Sequence, residues 1–289
     1  MVMILHGFFL VVVFDILIID LEVIELNIQE YVSLTVEEKY EFVLSQINTD
    51  IFYVYIDGNE LIIKHLQTDL NFVYVPGGNY KKGLTDLEYS LVRKINNFEY
   101  KEINLEYLRP VHTCTISDFL ITEYPVSWET LKPFSEKYQN NKGVAWMNKE
   151  SVDMICSHYN FRLPTDDEME YIARCGKQQL FPFGNLLPQD ESMLEKWLVI
   201  DYDKSKMLCN ELGVYGLFSG EWTNTHFTES YSEIDLKNSQ DYFCIRGGAS
   251  IFWPWQDCGE WLHCLCAYHM SSEGLFEDKA AAFRFVCDI

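Results

Sequence analysis

The side chains best suited to chemistry gather late in the chain, where Cys258, His263, Cys264, Cys266 and His269 fall within twelve residues. Thiolate sulfur and imidazole nitrogen are the donors that zinc and copper(I) accept, so Cys258, Cys264 and Cys266 form a candidate metal set that His263 and His269 can complete. The opposing reading is that these thiols are simply buried: their neighbours are apolar, and no basic residue stands beside them to favour the thiolate. Interleaved with them is the tract from Phe252 to Trp261, which carries Trp253, Trp255 and Trp261. Three indoles so close together either make a stacking platform for a sugar, peptide or other ring-bearing ligand, or plug a cleft. Arg246 and His269 are the polar groups placed to join such a ligand site.

The elements that must position these residues are short. Beyond Asp69 the chain reads as brief strands, aromatic clusters and Gly/Pro punctuation, with a helix expected over Asp166 to Arg174 and another over Lys149 to His158. Thr165 is a natural N-cap, Glu168 completes a capping box, and Asp166, Asp167 and Glu168 suit the positive end of the helix dipole. An ion pair between Arg162 and Glu170 is expected to lock this helix to the sheet. Upstream, Thr35-Val-Glu-Glu38 is a second capping box, and Val36, Tyr40, Val43, Leu44 and Ile47 recur at helical spacing to about Gln46. Ile51 to Ile56, Asp57-Gly58 and Leu61 to Ile63 read as a hairpin with its turn at Asp-Gly. The expected organisation is a small N-terminal unit over residues 1–68 and a larger domain over 69–289, with the boundary near Leu66 to Leu70.

Bulk properties narrow the partners. The 289 residues are 48% hydrophobic and 15% aromatic, enough apolar surface to offset the entropy of ordering a large core. A net charge of -22 repels phosphate backbones and anionic lipid, which excludes nucleic acid and makes a membrane partner unlikely on electrostatic grounds. Nine cysteines leave at least one unpaired, and their irregular spacing suits free thiols in a reducing, cytoplasmic compartment. The stretch from Met1 to Ile19 is apolar, yet no Lys or Arg precedes it, and Asp15 and Asp20 interrupt and bound it. It is read as neither a secretory signal nor a spanning helix. The alternation of Leu17, Ile19, Leu21 and Val23 suggests a strand laid on the body of the protein.

Six blocks, in order, carry a family resemblance. They are Phe72-Val-Tyr-Val-Pro-Gly-Gly78 with the Gly83 turn; Phe119-Leu-Ile121 with Tyr124-Pro-Val-Ser-Trp128; Phe161-Arg-Leu-Pro-Thr-Asp-Asp-Glu-Met-Glu-Tyr-Ile-Ala-Arg174 with Phe181-Pro-Phe-Gly-Asn185; Asn210-Glu-Leu-Gly-Val-Tyr215 with Glu221-Trp222-Thr223; Cys244-Ile-Arg-Gly-Gly248; and Ala282-Phe-Arg-Phe285. Together they resemble the formylglycine-generating enzymes, or sulfatase-modifying factors, from about Asn71 to Cys287. The resemblance implies an α+β fold of the C-type-lectin-like kind with little regular secondary structure, here preceded by a small N-terminal α/β unit.

In that family a cysteine pair just after the Arg-Gly-Gly strand binds copper(I) and activates oxygen, and a nearby loop holds calcium. Counted from either side, the expected cysteine positions fall on Phe252 and Asp257, or on Gln256 and Trp261. Only a rearranged loop can make Cys258 and Cys264 the catalytic pair. The calcium loop is shortened between Tyr215 and Glu221, leaving Glu221 as the one ligand carried over. Family arginines are replaced by Leu265 and His269. The expectation is therefore a divergent member that binds a protein, peptide or small-molecule ligand through residues 249–279. The alternatives are a copper-dependent oxidase that makes formylglycine from a substrate cysteine, or a related metal-dependent oxygenase, with relocated cysteines, and a diversified lectin-like binding protein.

Overall fold

Local capping starts the helices where the sequence places them. The computed structural model describes residues 26–96, 105–132, 143–187, 193, 196–197, 207–228, 230–232, 242–247, 260–272 and 280–289. Helix α1 (Ile28–Ser33) begins at Asn27 and α2 (Val36–Gln46) at Thr35, each with a reciprocal capping box. After α3 (Asp86–Asn96) and the single turn α4 (Trp128–Leu131), α5 spans Lys149–Tyr159 and α6 spans Asp166–Arg174. In α6 the Thr165 hydroxyl accepts from the Glu168 N–H at 3.1 Å while the Glu168 carboxylate accepts from the Thr165 N–H at 2.7 Å. Two orphan donors of the first turn are thereby satisfied.

The expected hairpin forms with its turn one residue later. Strands β1 (Phe52–Asp57) and β2 (Glu60–His65) pair Asp57 with Glu60, so Gly58 and Asn59 make the turn and Gly58 takes φ +61. Gly rather than Asp57 supplies the positive φ, because a residue without Cβ adopts it at no steric cost. β1 and β2 continue into a five-stranded antiparallel sheet with β3 (Asn71–Val75), β6 (Phe119–Thr122) and β12 (Val286–Asp288), in the order β1-β2-β3-β6-β12.

The inner strands β3 and β6 of this sheet are covered on both faces, whereas β1 leaves Tyr53 exposed, and the two-residue period sorts the inner side chains between two cores. Val75, Phe119 and Ile121 enter one core with α6, Trp261 and Cys266. Phe72, Tyr74 and Leu120 enter the other with Val43, Val152, Phe283 and Phe285. Three smaller sheets complete the α+β architecture. β4 (Gly78–Lys82) pairs with β5 (His112–Ile116), β7 (Met147–Asn148) pairs with β11 (Ala280–Ala281), and β9 (Phe243–Gly247) lies between β8 (Ser219–His226) and β10 (His269–Ser271).

Among the described residues no helix is long and apolar enough to cross a membrane. The alternating segment before Leu26, including Leu17 to Val23, lies outside the described residues.

Candidate functional site

The start of α6 sets a carboxylate where two sheets and a helix meet. Asp166 is the first residue of α6 and is 1% exposed. Arg246, on the middle strand β9, places Nε 2.5 Å from Asp166 Oδ1, and Lys82, at the end of β4, places Nζ 2.6 Å from Oδ2. Burial disfavours the Asp166 charge, yet the surrounding positive charge, led by Arg246, holds its carboxyl well below the usual carboxylate range. Burial likewise opposes the Lys82 ammonium, and Asp166 with Asp167 more than offsets it.

One helical turn further, Glu170 is fully buried and accepts from the Gly83 N–H at 2.8 Å, from Arg174 Nε at 2.9 Å and from Arg246 Nη2 at 3.3 Å. Arg174 also reaches Glu88 of α3 at 2.8 Å. The outcome is a paired buried network in which every cation meets a carboxylate; removing either partner of such a pair strands a charge in low dielectric.

His269 closes one side of this network. It sits opposite Arg246 across the β9–β10 ladder, with Nδ1 3.5 Å from Asp166 Oδ2 and 3.3 Å from the Tyr231 hydroxyl oxygen. The rings of Tyr107, Phe227 and Tyr231 surround it. Burial, with Arg246 and Lys82 helping and Asp166 opposing, lowers the imidazole to about 3. The ring is therefore neutral at ordinary pH, and its contact with Asp166 is not an ion pair. Two residues before Arg246 on the same face of β9, the Cys244 thiol is buried, and burial pushes it well above the ordinary thiol range.

Of the residues singled out from the sequence, the structure brings Arg246 and His269 together at Asp166. Trp253, Trp255 and Cys258 lie outside the described residues. Trp261 is 6% exposed in the 3-10 turn Glu260–Cys264, so its indole fills the core and offers no surface for stacking. Cys264 and Cys266 belong to the same core; Cys266 donates to the Ala173 carbonyl at 3.3 Å, and burial pushes its thiol up to about 12. His263 sets Nδ1 3.3 Å from the Gly247 carbonyl, and burial lowers it to about 4. These side chains face the interior because the turn that carries them is wedged under β9 rather than exposed on a loop.

Glu221, the carboxylate that the resemblance offers to calcium, lies in the interior of this fold. Its carboxylate is fully buried, 2.7 Å from Arg284 Nε through Oε2 and 2.8 Å from the Ser219 hydroxyl through Oε1. The expected Arg162–Glu170 pair is corrected. Arg162 grips Glu168 at 2.6 Å and Asp288 at 2.7 Å instead. Glu168 and Glu170 are two residues apart, so they point to nearly opposite sides of α6; the first turns back to the helix start and the second turns inward.

In the Arg-Gly-Gly block the first glycine is required by packing. Gly247 takes φ +76, and a Cβ there collides with the Phe218 backbone. The Asn210 block is a clamp: its amide donates to the Ile172 carbonyl at 2.9 Å and its oxygen accepts from the Leu212 and Val214 N–H groups, both at 3.1 Å. The sequence reading missed Lys82, Cys244, Tyr107 and Tyr231. For Cys244 a signal existed, since strand alternation puts it on the same face as Arg246.

The architecture and its buried polar centre define an α+β fold with several antiparallel sheets and few helices. In solved structures this fold is similar to PvdO from Pseudomonas aeruginosa, at 16% identity and a TM-score of 0.52, over 79% of this chain and 98% of PvdO. PvdO has a formylglycine-generating-enzyme-like fold, so at the level of fold it agrees with the motif blocks. Variable protein 1 of Treponema denticola is similar at 14% identity and a TM-score of 0.44, over 82% of this chain and 99% of its own. No family model matches the chain, and no curated protein matches it.

Proposed function

We propose that this protein is a divergent relative of the formylglycine-generating enzymes, with a C-type-lectin-like fold, that binds a protein, peptide or small-molecule ligand through residues 249–279 and does not oxidise cysteine. The domain over 69–289 carries the ligand, and the unit over 1–68 is its appendage. One observation carries the reading: each described side chain offered for metal or oxygen chemistry is sealed in the interior. Cys264 is fully buried, Cys266 is bonded to the Ala173 carbonyl, and Glu221 is bonded to Arg284. Both thiols lie away from solvent, where a substrate cysteine cannot reach them. The eight described cysteines are all free, which fits a reducing, cytoplasmic setting.

The test is anaerobic copper(I) titration of the purified protein beside Cys258→Ser and Cys264→Ser. The binding reading expects no specific copper uptake. Tight one-to-one binding lost in both variants overturns it in favour of an oxidase, to be assayed on a cysteine-containing sulfatase peptide.

A further inference from the structure

Three donors at the edge of the buried network converge on one point. A carboxylate oxygen of Asp166, the sulfur of Cys244 and a ring nitrogen of His269 all lie within 4.8 Å of one another, and all three residues are buried. His269 is 1% exposed, yet its Nε2 meets no hydrogen-bond partner among the described residues. A buried ring nitrogen left unsatisfied carries a desolvation penalty that a bound ion would remove. We propose that Asp166, Cys244 and His269 form a three-ligand site for a divalent ion of the zinc class, with solvent completing the coordination.

The donor chemistry selects the ion. One thiolate, one imidazole and one carboxylate is a borderline set that suits Zn(II), whereas calcium and magnesium demand oxygen alone. The thiolate and carboxylate together neutralise a divalent charge. Lys82 and Arg246 do not forbid the ion, because each holds a second carboxylate: Lys82 reaches Asp167 Oδ1 at 2.5 Å and Arg246 reaches Glu170 Oε2 at 3.3 Å. Arg246 also donates to the carbonyls of Cys266 at 2.7 Å and Asp166 at 3.0 Å. Asp166 can therefore turn an oxygen toward the metal without stranding either cation.

The geometry asks for a small contraction. Bonds of about 2.0–2.3 Å in a tetrahedron put neighbouring donors about 3.3–3.7 Å apart. Cys244 and His269 stand on adjacent paired strands, and Asp166 opens α6, so the ion joins the three-stranded sheet to the helix. On binding, the Cys244 S–H bond breaks, the sulfur lone pair forms the metal–sulfur bond, and the proton leaves to solvent; no group changes oxidation state.

The test uses Co(II) as a spectroscopic probe, titrated into the purified full chain and then displaced by Zn(II). The expected result is one equivalent bound with thiolate-to-cobalt absorption that Zn(II) abolishes. Cys244→Ser removes that absorption. His269→Gln weakens binding by more than the about 10–100-fold typical of losing an outer-shell partner. His269→Cys keeps a bound ion, which separates ligand loss from misfolding, and Cys209→Ser binds as the parent does. Absence of stoichiometric binding, or thiolate absorption that persists in Cys244→Ser, overturns the site. So does absorption lost only in Cys258→Ser. The outcome is independent of the copper(I) titration, whose readout rests on Cys258 and Cys264.

Discussion

Arg284 and Glu221 face each other in the interior with Nε and Oε2 2.7 Å apart, and neither side chain reaches solvent. Arg284 also donates to the Gly216 carbonyl at 2.7 Å and to the Tyr215 carbonyl. Arg284→Met leaves a carboxylate buried without its cation and is expected to cost about 3–5 kcal/mol. The double variant Arg284→Met with Glu221→Leu should be less destabilised than Arg284→Met alone. Urea unfolding of the three proteins measures both effects. A single-variant loss below about 1 kcal/mol, the size typical of an exposed pair, would contradict the buried pairing.

Thr165 begins α6 with the reciprocal bonds described above, and α6 supplies Asp166 and Glu170 to the buried network. Thr165→Ala is expected to lose about 1 kcal/mol, while Thr165→Ser retains most of the cap. Equal midpoints in urea for the alanine variant and the parent would mean that the cap contributes nothing.

Stability should fall on mild acidification through His263. An unfolded imidazole takes its proton near pH ~6.5, whereas burial lowers His263 to about 4. Between those values the unfolded chain binds a proton that the folded chain refuses. The contribution is thus fully present above about pH 6.5 and declines by at most about 1.4 kcal/mol per pH unit below it. His263→Gln should flatten the slope of the unfolding free energy in that window. An unchanged slope would show that His263 is protonated as readily folded as unfolded.

The thiols should differ in reactivity. Burial pushes Cys156 and Cys266 up to about 12 and Cys175 up to about 11, and all three lie in the cores. Iodoacetamide at mildly alkaline pH should therefore leave these three unmodified in the native protein and modify them in urea, as read by peptide mass spectrometry. Rapid native labelling of Cys266 would place it in solvent and reopen its candidacy as a metal ligand.

What the sequence revealed depends on how far apart the partners lie. Thr165 with Glu168, and Thr35 with Glu38, are three residues apart, so their caps are visible in the local pattern. The block from Phe72 to Val75 reads as a strand, but nothing local tells that Phe72 and Tyr74 enter one core and Val75 the other. Arg246 and Asp166 are 80 residues apart, and only the three-dimensional arrangement joins them. The assignment of Glu170 to Arg162 failed on helix geometry: both glutamates are near in sequence, and rotation about the axis separates them. Trp261 illustrates a further limit, since an aromatic at an interface and one in a core have the same sequence signature.

The placement of β12 also bears on how the molecule is made. Val286, Cys287 and Asp288 pair with Ile121, Leu120 and Phe119, and Val286 exchanges backbone bonds with Arg162. Two core-forming segments thus wait for a strand synthesised far later, and loop closure over such separations slows assembly. A ribosome-bound chain lacking residues 280–289 has one edge of β6 already translated but unpaired, and lacks Phe283 and Phe285 from the core they fill. That stage is when the nascent protein is most exposed to aggregation and when a chaperone has most to shield.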